Sequence, residues 1–196
     1  PNMLDFNEGD FSYKPQKQFP TIGVMARFVK KKGVDVFLKA LAGLKSKNVP
    51  FFAIIAGDGD ERENFQKMRD ELKLNSQVRF VGWAKDKQRD FYDKIDIFCL
   101  PSHHEPFGIV LLEAMLAGKP IVSTASEGPL EIIDNKQDGN LVPIDHAGEL
   151  ALALEQLIKD PLRSKLYAEN SLAKLKERYH INKVAALING NLKNML

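Results

Sequence analysis

The sequence contains one cysteine, no long apolar run and little excess charge of either sign. A single thiol excludes an intrachain disulfide, and the apolar neighbours of Cys99 indicate that its side chain packs in a core rather than reacts. No stretch approaches the ~20 apolar residues that cross a bilayer, and no secretory signal peptide opens the chain. We therefore expect a cytoplasmic protein.

Basic residues are too evenly matched by acidic ones to indicate binding to nucleic acid. The chain of 196 residues has 28 Lys and Arg against 26 Asp and Glu, for a formal net charge of +2. Nucleic-acid-binding domains concentrate basic residues on one face, so we expect no nucleic-acid partner. Hydrophobic residues make up 44% of the chain, which is typical of a globular domain.

Short apolar stretches rich in Ile, Val and Phe alternate with helical patterns through most of the chain. The stretches are too short for helices and predict six strands, over 21–26, 51–56, 78–81, 95–100, 120–124 and 140–142. Between them, apolar residues recur at three- and four-residue spacing, as in 34–44 and 65–72. This alternation predicts a Rossmann-like three-layer α/β/α fold, in which helices cover both faces of a six-stranded parallel sheet.

The two ends of the chain differ from this alternating centre. Residues 1–20 contain several prolines and no sustained periodicity, and they predict a linker or an irregular lead-in. Because the chain opens with Pro1 rather than Met, we expect a piece of a longer or processed protein. From about residue 148 the pattern is helical, and it predicts helices over 150–158, 162–176 and 181–192.

The strongest chemical signal is an apolar helical stretch over 109–117 that has glutamates before it and inside it. Ligands of an open parallel sheet bind beyond the carboxyl ends of its strands, and this stretch follows the fourth predicted strand. Glu113 is the only charged residue between Glu105 and Lys119, and a buried carboxylate needs a strong donor to replace its hydration. Two interpretations remain open: Glu113 binds a ligand, or it has a structural partner such as a backbone group, Arg27 or Lys119.

The start of this helix and the loop after the first strand both suit an anion. Gly108 permits close approach of a ligand, and backbone N–H groups at a helix start bind phosphate. We expect those groups to belong to Phe107, Gly108 and Ile109. Arg27 and Lys32 follow the first strand, and two cations on one loop can clamp a diphosphate. Together the two segments predict a site for a nucleotide sugar, with one carboxylate for the ribose and one for the sugar.

These segments resemble those of glycosyltransferase family 4. The stretch from Arg27 to Gly33 is similar to the family's Arg-x4-Lys-Gly signature, and the stretch from Glu105 to Glu113 is similar to its Glu-x7-Glu motif. Glu127-Gly128 departs from the Gly-Gly pair that is frequent in the family close to the sugar, which leaves the identity of the sugar open. Further matching stretches, in the expected order, are Pro1-Asn2-Met3-Leu4-Asp5, Ile55-Ala56-Gly57-Asp58-Gly59, Val78-Arg79-Phe80-Val81-Gly82 and Gly128-Pro129-Leu130-Glu131.

The resemblance implies the GT-B architecture, in which two Rossmann-like domains face a cleft. Residues 1–20 would be the interdomain linker, 21–178 the donor-binding domain, and 179–196 a helix that crosses back to an N-terminal domain absent from this chain. That domain would bind a glycan or lipid-linked acceptor of polysaccharide or lipopolysaccharide biosynthesis. It would also set any peripheral association of the full-length protein with the inner face of the membrane.

The resemblance further implies roles for individual residues. Arg27 and Lys32 would hold the diphosphate and offset its charge as the glycosidic bond breaks. Glu105 would lie beside the donor sugar, and Glu113 would bind the ribose hydroxyls. The remaining contacts would be backbone contacts to phosphate or sugar from Phe107, Gly108 and Ile109, and contacts to the base from Gly82, Trp83 and Ala84.

We expect a retaining transfer from a UDP- or GDP-sugar that needs no metal or other cofactor, and little or no turnover by this chain alone. The acceptor hydroxyl would attack from the front face and would be deprotonated by the leaving phosphate. Metal binding by Asp58 and Asp60 is not expected, because no further ligand stands at suitable spacing. Metal binding by the run from His103 to Glu105 is not expected either, because adjacent side chains rarely point the same way. A non-catalytic module that binds nucleotide sugars remains the alternative function.

Overall fold

The computed structural model describes Tyr13, residues 18–82 and residues 88–178, and its centre is a six-stranded parallel sheet. The strands follow each other in the sheet in the order β3-β2-β1-β4-β5-β6. This confirms the predicted sheet, although four strands are one or two residues shorter than expected. Their bounds are β1 (Thr21–Met25), β2 (Phe52–Ala56), β3 (Val78–Val81), β4 (Ile97–Leu100), β5 (Ile121–Thr124) and β6 (Asn140–Val142).

Helices cover both faces of the sheet, as the alternating pattern predicts. Their bounds are α1 (Val34–Ser46), α2 (Arg62–Glu71), α3 (Gln88–Lys94), α4 (Ile109–Leu116), α5 (Glu127–Ile132), α6 (Ala147–Lys159) and α7 (Pro161–Arg178). One core packs α1, α2 and α6 against the sheet, and a second core packs α3 and α4 against the other face. Helix α7 contributes Tyr167 to the first core and Leu175 to the second.

The central strands are buried because helices lie above and below them. All five residues of β1 and all four of β4 are buried, which is the pattern of a parallel sheet covered on both faces. Successive side chains of a strand point to opposite faces. Accordingly Val24 joins the core under α1, whereas Met25 joins the core under α4.

The structure contains two short helices and a 3-10 turn that the sequence pattern did not predict. Helix α3 has only seven residues, and its apolar residues Phe91 and Tyr92 are adjacent rather than spaced by three or four. Helix α5 has six residues and includes Gly128 and Pro129, which ordinarily indicate a loop. The 3-10 turn spans Lys30–Lys32.

The sheet order places two loops side by side at its carboxyl edge. From β1 the chain first builds the sheet in one direction through β2 and β3, and then in the other through β4, β5 and β6. The loops after β1 and β4 therefore flank the point where the direction reverses, which is where open α/β sheets bind ligands. These are the loops that carry Arg27, Lys32 and Glu105.

The ends of the chain leave several predictions untested. The helix expected over 181–192 lies outside the described residues, and the domain boundaries at residues 20 and 178 stay predictions. The Tyr13 hydroxyl donates a hydrogen bond to the carbonyl oxygen of Pro161, at 3.3 Å, so the lead-in reaches the start of α7. None of the helices within residues 18–82 and 88–178 is long and apolar enough to cross a membrane.

Candidate active site at the carboxyl edge of the sheet

The loops after β1 and β4 are held together by backbone contacts. The N–H of His103 donates to the carbonyl oxygen of Lys31, at 2.9 Å. Gly33 adopts the left-handed conformation, with φ 65°, and a Cβ atom there would collide with the carbonyl group of Pro101. Only glycine combines this φ with such close approach, so Gly33 fixes how the two loops pack.

A salt bridge joins the two predicted motifs across this junction. The Lys32 ammonium lies 2.7 Å from Oε2 of Glu105, and the two side chains are 19% and 14% exposed. Partial burial strengthens such a charge-assisted contact compared with an exposed pair. The first motif and the Glu-x7-Glu segment therefore meet in space, as the sequence predicts.

Arg27 lies at the start of the same loop and points its charge toward solvent. Its side chain is exposed, and it forms no ion pair or side-chain hydrogen bond with other residues in the described part of the chain. Its carbonyl oxygen accepts a hydrogen bond from the N–H of Val29, at 2.9 Å, which tightens the loop. The guanidinium is thus available to an anion.

The helix of the second motif begins at Ile109, as the apolar stretch over 109–117 predicts. Gly108 is its N-cap residue and is left-handed, with φ 87°. The Leu111 N–H donates to the Gly108 carbonyl, at 2.8 Å, in a tight first turn. The N–H groups at the start of a helix have no partners within it, so those of Gly108 and Ile109 are placed to bind an anion. Phe107 lies outside the helix and is exposed.

Glu113 is buried in α4 and contacts a residue that the sequence did not indicate. Its side chain is 5% exposed, and its Oε2 accepts a hydrogen bond of 2.9 Å from the Tyr92 hydroxyl of α3. Burial raises the pKa of Glu113 from 4.5 to about 7, and the Tyr92 hydrogen bond opposes that rise. The suggested partner Lys119 instead donates to the carbonyl oxygen of Ile95, at 2.9 Å. Glu113 is the fifth residue of α4, so it lies about one turn inside the helix.

The segment after β5 also borders the site, because it packs against the loop that carries Glu105. The Gly128 N–H donates to the carbonyl oxygen of Glu105, at 2.8 Å, and a Cβ atom on Gly128 would collide with the backbone of Phe107. His104 Nδ1 lies 2.9 Å from Oε1 of Glu127, and both side chains are exposed. Glu127 therefore stands beside the Glu-x7-Glu loop, at the position where the sequence departs from the family pattern.

Two buried hydroxyl groups at the same edge of the sheet lack hydrogen-bond partners among the described residues. They are Ser102 Oγ, after β4, and Ser126 Oγ, after β5. Such groups are uncommon in native proteins, and at a ligand site they are the groups a ligand or water satisfies. Nothing in the sequence singles out these serines, since serine is common in loops.

The predicted contacts to the base are described only in part. Gly82 is exposed at the end of β3, whereas Trp83 and Ala84 lie outside the described residues. Cys99 lies in β4 and is fully buried, and burial raises its pKa. Among the residues that the structure describes, no group of three or more His, Cys, Asp or Glu is arranged to hold a metal ion.

Two curated relatives match most of this chain. The lipopolysaccharide core biosynthesis glycosyltransferase LpsE of Rhizobium meliloti (strain 1021) is 38% identical over 148 residues, which cover 75% of this chain and 42% of the relative. LpsD of the same organism is 35% identical over 158 residues, which cover 80% of this chain and 44% of the relative. The matched part of the chain thus spans less than half the length of these relatives.

Solved structures share the fold. Anabaena Alr3699/HepE in complex with UDP-glucose superposes with a TM-score of 0.78 and 26% identity, over 90% of this chain and 49% of that one. The C-terminal domain of a group 1 family protein (LpcC) from Francisella tularensis superposes with a TM-score of 0.77 and 25% identity, over 88% of this chain and 96% of that one. This chain therefore has the fold of GT-B C-terminal domains.

The model of the family described as "Glycosyl transferases group 1" matches residues 5–177, which include every element from β1 to α6 and almost all of α7. The match contains both loops that the Lys32–Glu105 salt bridge joins. The chain belongs to the group 1 glycosyl transferases.

Proposed function

We propose that this chain is the donor-binding part of a retaining glycosyltransferase of family 4. It binds a nucleoside-diphosphate sugar and takes part in transfer of the sugar to a glycan or lipid-linked acceptor. The observation that carries this proposal is the 2.7 Å contact between Lys32 and Glu105, because it brings a phosphate-binding cation and a sugar-binding carboxylate to one point. The exposed Arg27 on the same loop adds a second cation.

The diphosphate of the donor replaces Glu105 as the partner of Lys32. Lys32 and Arg27 then face the phosphate oxygens, and the N–H groups at the start of α4 contribute further donors. Once Lys32 pairs with the diphosphate, the Glu105 carboxylate turns toward the hydroxyls of the donor sugar. Because these cations and N–H groups neutralise the diphosphate, the scheme requires no metal or other cofactor.

Sugar transfer proceeds on one face of the ring. The bond from the anomeric carbon to the leaving diphosphate oxygen breaks, and the acceptor oxygen forms a bond to the same carbon on the face from which the diphosphate leaves. The acceptor proton passes to an oxygen of the leaving phosphate. Arg27 and Lys32 stabilise the negative charge that grows on that phosphate, and they do so most strongly where water is excluded.

Glu113 is assigned to the ribose hydroxyls. Its carboxylate accepts one hydrogen bond, from Tyr92, and a carboxylate has capacity for several more. Burial raises the pKa of Glu113, and a buried carboxylate with a raised pKa is typical of functional sites. With Glu113 in this role, the ribose would lie on the side of α3 and α4, where Glu113 contacts Tyr92.

The relatives support a choice of substrates. The solved structures of HepE contain UDP or UDP-glucose, which favours a UDP-sugar for this chain. LpsE and LpsD act in lipopolysaccharide core biosynthesis, which favours a lipopolysaccharide-type acceptor at the inner face of the cytoplasmic membrane. Because the chain spans less than half of those relatives, the acceptor's main binding site is assigned to the rest of the enzyme.

Calorimetric titration with UDP and with GDP tests this proposal directly. We expect one of the two to bind, and the Lys32→Met variant to bind it on the order of 10- to 100-fold more weakly, as loss of a charge-assisted contact predicts. Lys67→Met, which removes an exposed cation from α2, is the matched control and leaves the affinity unchanged. Absence of heat with both nucleotides, or equal affinities of Lys32→Met and Lys67→Met, contradicts the proposal.

A further inference from the structure

A cavity lies beside the Lys32–Glu105 junction, at the starts of α1 and α2. It has a volume of about 550 Å³, within the usual range for small-molecule sites. Lys31 and His103 line it, although each is within two residues of a member of the salt bridge. The same two loops therefore present one set of side chains to the proposed donor site and another to this cavity, which we call the α1–α2 cavity.

The proposed donor does not use the α1–α2 cavity. The nucleotide is assigned to the side of α3 and α4, where Glu113 contacts Tyr92. The cavity lies instead beside the starts of α1 and α2, which cover the opposite face of the sheet. A ligand in the cavity would thus be separated from the nucleotide and adjacent to the reacting groups.

The charges around the cavity favour a neutral polar ligand over an anion. Lys30 and Lys31 contribute two positive charges, and Asp35 and Glu61 contribute two negative charges. A phosphate would gain from the lysines and lose as much from the carboxylates, because all four groups line one cavity. A polyhydroxyl compound accepts hydrogen bonds from ammonium groups and donates them to carboxylates, so it uses both sets.

The rest of the lining completes a surface suited to one sugar ring. Met68 of α2 and the small accessible part of Phe65, which is 4% exposed, supply apolar atoms for the C–H face of a ring. Asn64, whose amide donates to Oε2 of Glu61 at 2.9 Å, lies beside them. His103 Nε2 is buried and has no hydrogen-bond partner among the described residues, and it lies 3.9 Å from Oδ1 of Asp35, too far for a direct hydrogen bond.

We propose that the α1–α2 cavity binds a sugar ring of the acceptor glycan and holds it beside the Lys32–Glu105 junction. Assigning the ring to the acceptor rests on the proposed function, whereas the binding of a neutral sugar rests on the cavity alone. Through this cavity the donor-binding part of the enzyme itself contacts the acceptor. Asn64 and Lys31 act there as positioning residues that touch the acceptor and not the donor.

Titration of the isotopically labelled chain with methyl α-D-glucopyranoside, methyl α-D-mannopyranoside and methyl α-D-galactopyranoside, followed by amide NMR spectra, tests the proposal. We expect saturable shifts at the amides of Lys31, Asn64 and His103 with at least one glycoside. A ligand of this size gives a Kd on the order of 1 mM. Inorganic phosphate is the comparison ligand, and we expect it to leave the Asn64 amide of α2 unshifted, because that residue lies outside the proposed phosphate site.

Two variants of α2 test whether the glycoside binds in the α1–α2 cavity. Asn64→Ala removes a side chain that lines the cavity, and we expect about fivefold weaker glycoside binding from the loss of one hydrogen bond. Glu63→Ala, at the neighbouring exposed position outside the lining, is the matched control and leaves binding unchanged. Both variants keep the UDP or GDP affinity of the unaltered chain, since neither residue touches the donor.

Several results would overturn the proposal. They are no shift with any glycoside, shifts confined to other amides, a shift of the Asn64 amide with phosphate, and equal glycoside affinity for Asn64→Ala and Glu63→Ala. Failure of the proposed function gives a different result. A chain that binds a glycoside in the cavity but binds neither UDP nor GDP would overturn the donor site and leave the cavity as a sugar site.

Discussion

Replacing Glu113 by Gln is expected to stabilise the fold at neutral and alkaline pH while it weakens nucleotide binding. Burial raises the pKa of Glu113 from 4.5 to about 7, so the folded protein holds a proton that the unfolded chain releases. A group of this kind makes folding less favourable as the pH rises between those two values. The carboxylate is therefore costly to keep ionised, and the amide of Gln carries no such cost.

The magnitude follows from the two pKa values. A difference between 4.5 and about 7, at about 1.4 kcal/mol for each pH unit, corresponds to about 3 kcal/mol at pH 8. The cost is almost absent below pH 4.5, where the carboxyl is protonated in both states. Gln has nearly the same shape and keeps an oxygen for the Tyr92 hydroxyl, so other effects of the change stay constant with pH.

Urea unfolding at a series of pH values from 4.5 to 8 measures this effect. We expect the free energy of unfolding of Glu113→Gln, minus that of the unaltered chain, to increase by about 3 kcal/mol across the series. Glu131→Gln changes an exposed carboxylate of α5, which keeps its contact with water on folding, and it is the matched control. A flat difference for Glu113→Gln would refute the reasoning, because it would mean that burial does not perturb this carboxyl.

The same variant separates a structural role of Glu113 from a functional one. If the carboxylate serves only the fold, its replacement by an uncharged group of equal size leaves nucleotide affinity unchanged. We expect instead that Glu113→Gln binds the preferred nucleotide about tenfold more weakly, from loss of a charged acceptor for the ribose. A gain in stability with a loss of binding is the expected pattern for a residue retained for function.

Two further predictions concern the stability of the fold. Gly33→Ala is expected to lower the free energy of unfolding by at least ~1–2 kcal/mol, because φ is 65° there and a Cβ would meet Pro101. Gly148→Ala is the matched control and should be neutral or stabilising, because Gly148 lies in α6 and a Cβ atom there meets open space. Equal changes in the free energy of urea unfolding for Gly33→Ala and Gly148→Ala would contradict the argument. Lys174→Met should destabilise by about 3–5 kcal/mol at pH 7, because the buried Lys174 ammonium contacts Asp138 and Asp134, and by less as the pH falls, because burial raises the pKa of the Asp138 carboxyl and it is protonated more readily. A loss independent of pH in urea unfolding would exclude the charge of Asp138 as its cause.

The sequence was sufficient for the sheet and for the principal helices because their patterns are local. A strand such as β4 is a short run of Ile, Phe, Cys and Leu buried on both faces, and α6 repeats apolar residues at helical spacing. Helices α3 and α5 escaped this reasoning because they are short, and α5 contains glycine and proline. Their helical state depends on packing against neighbouring elements more than on a periodic pattern.

The sequence also indicated which loops carry the chemistry. A parallel sheet brings the carboxyl ends of its strands to one edge, so Arg27, Lys32 and Glu105 were expected near each other. The structure confirms this expectation for Lys32 and Glu105, which are in contact. The roles assigned to these residues stay predictions until nucleotide binding is measured.

The sequence by itself determined the class of fold, the group of enzymes and the two loops of the site, because each is specified by residues close together along the chain. Only the tertiary structure decided that Tyr92 is the partner of Glu113, and that Lys31 and His103 share a cavity with residues of α2. Those contacts join residues more than 20 positions apart. They depend on the order in which strands enter the sheet, which a periodic pattern does not encode.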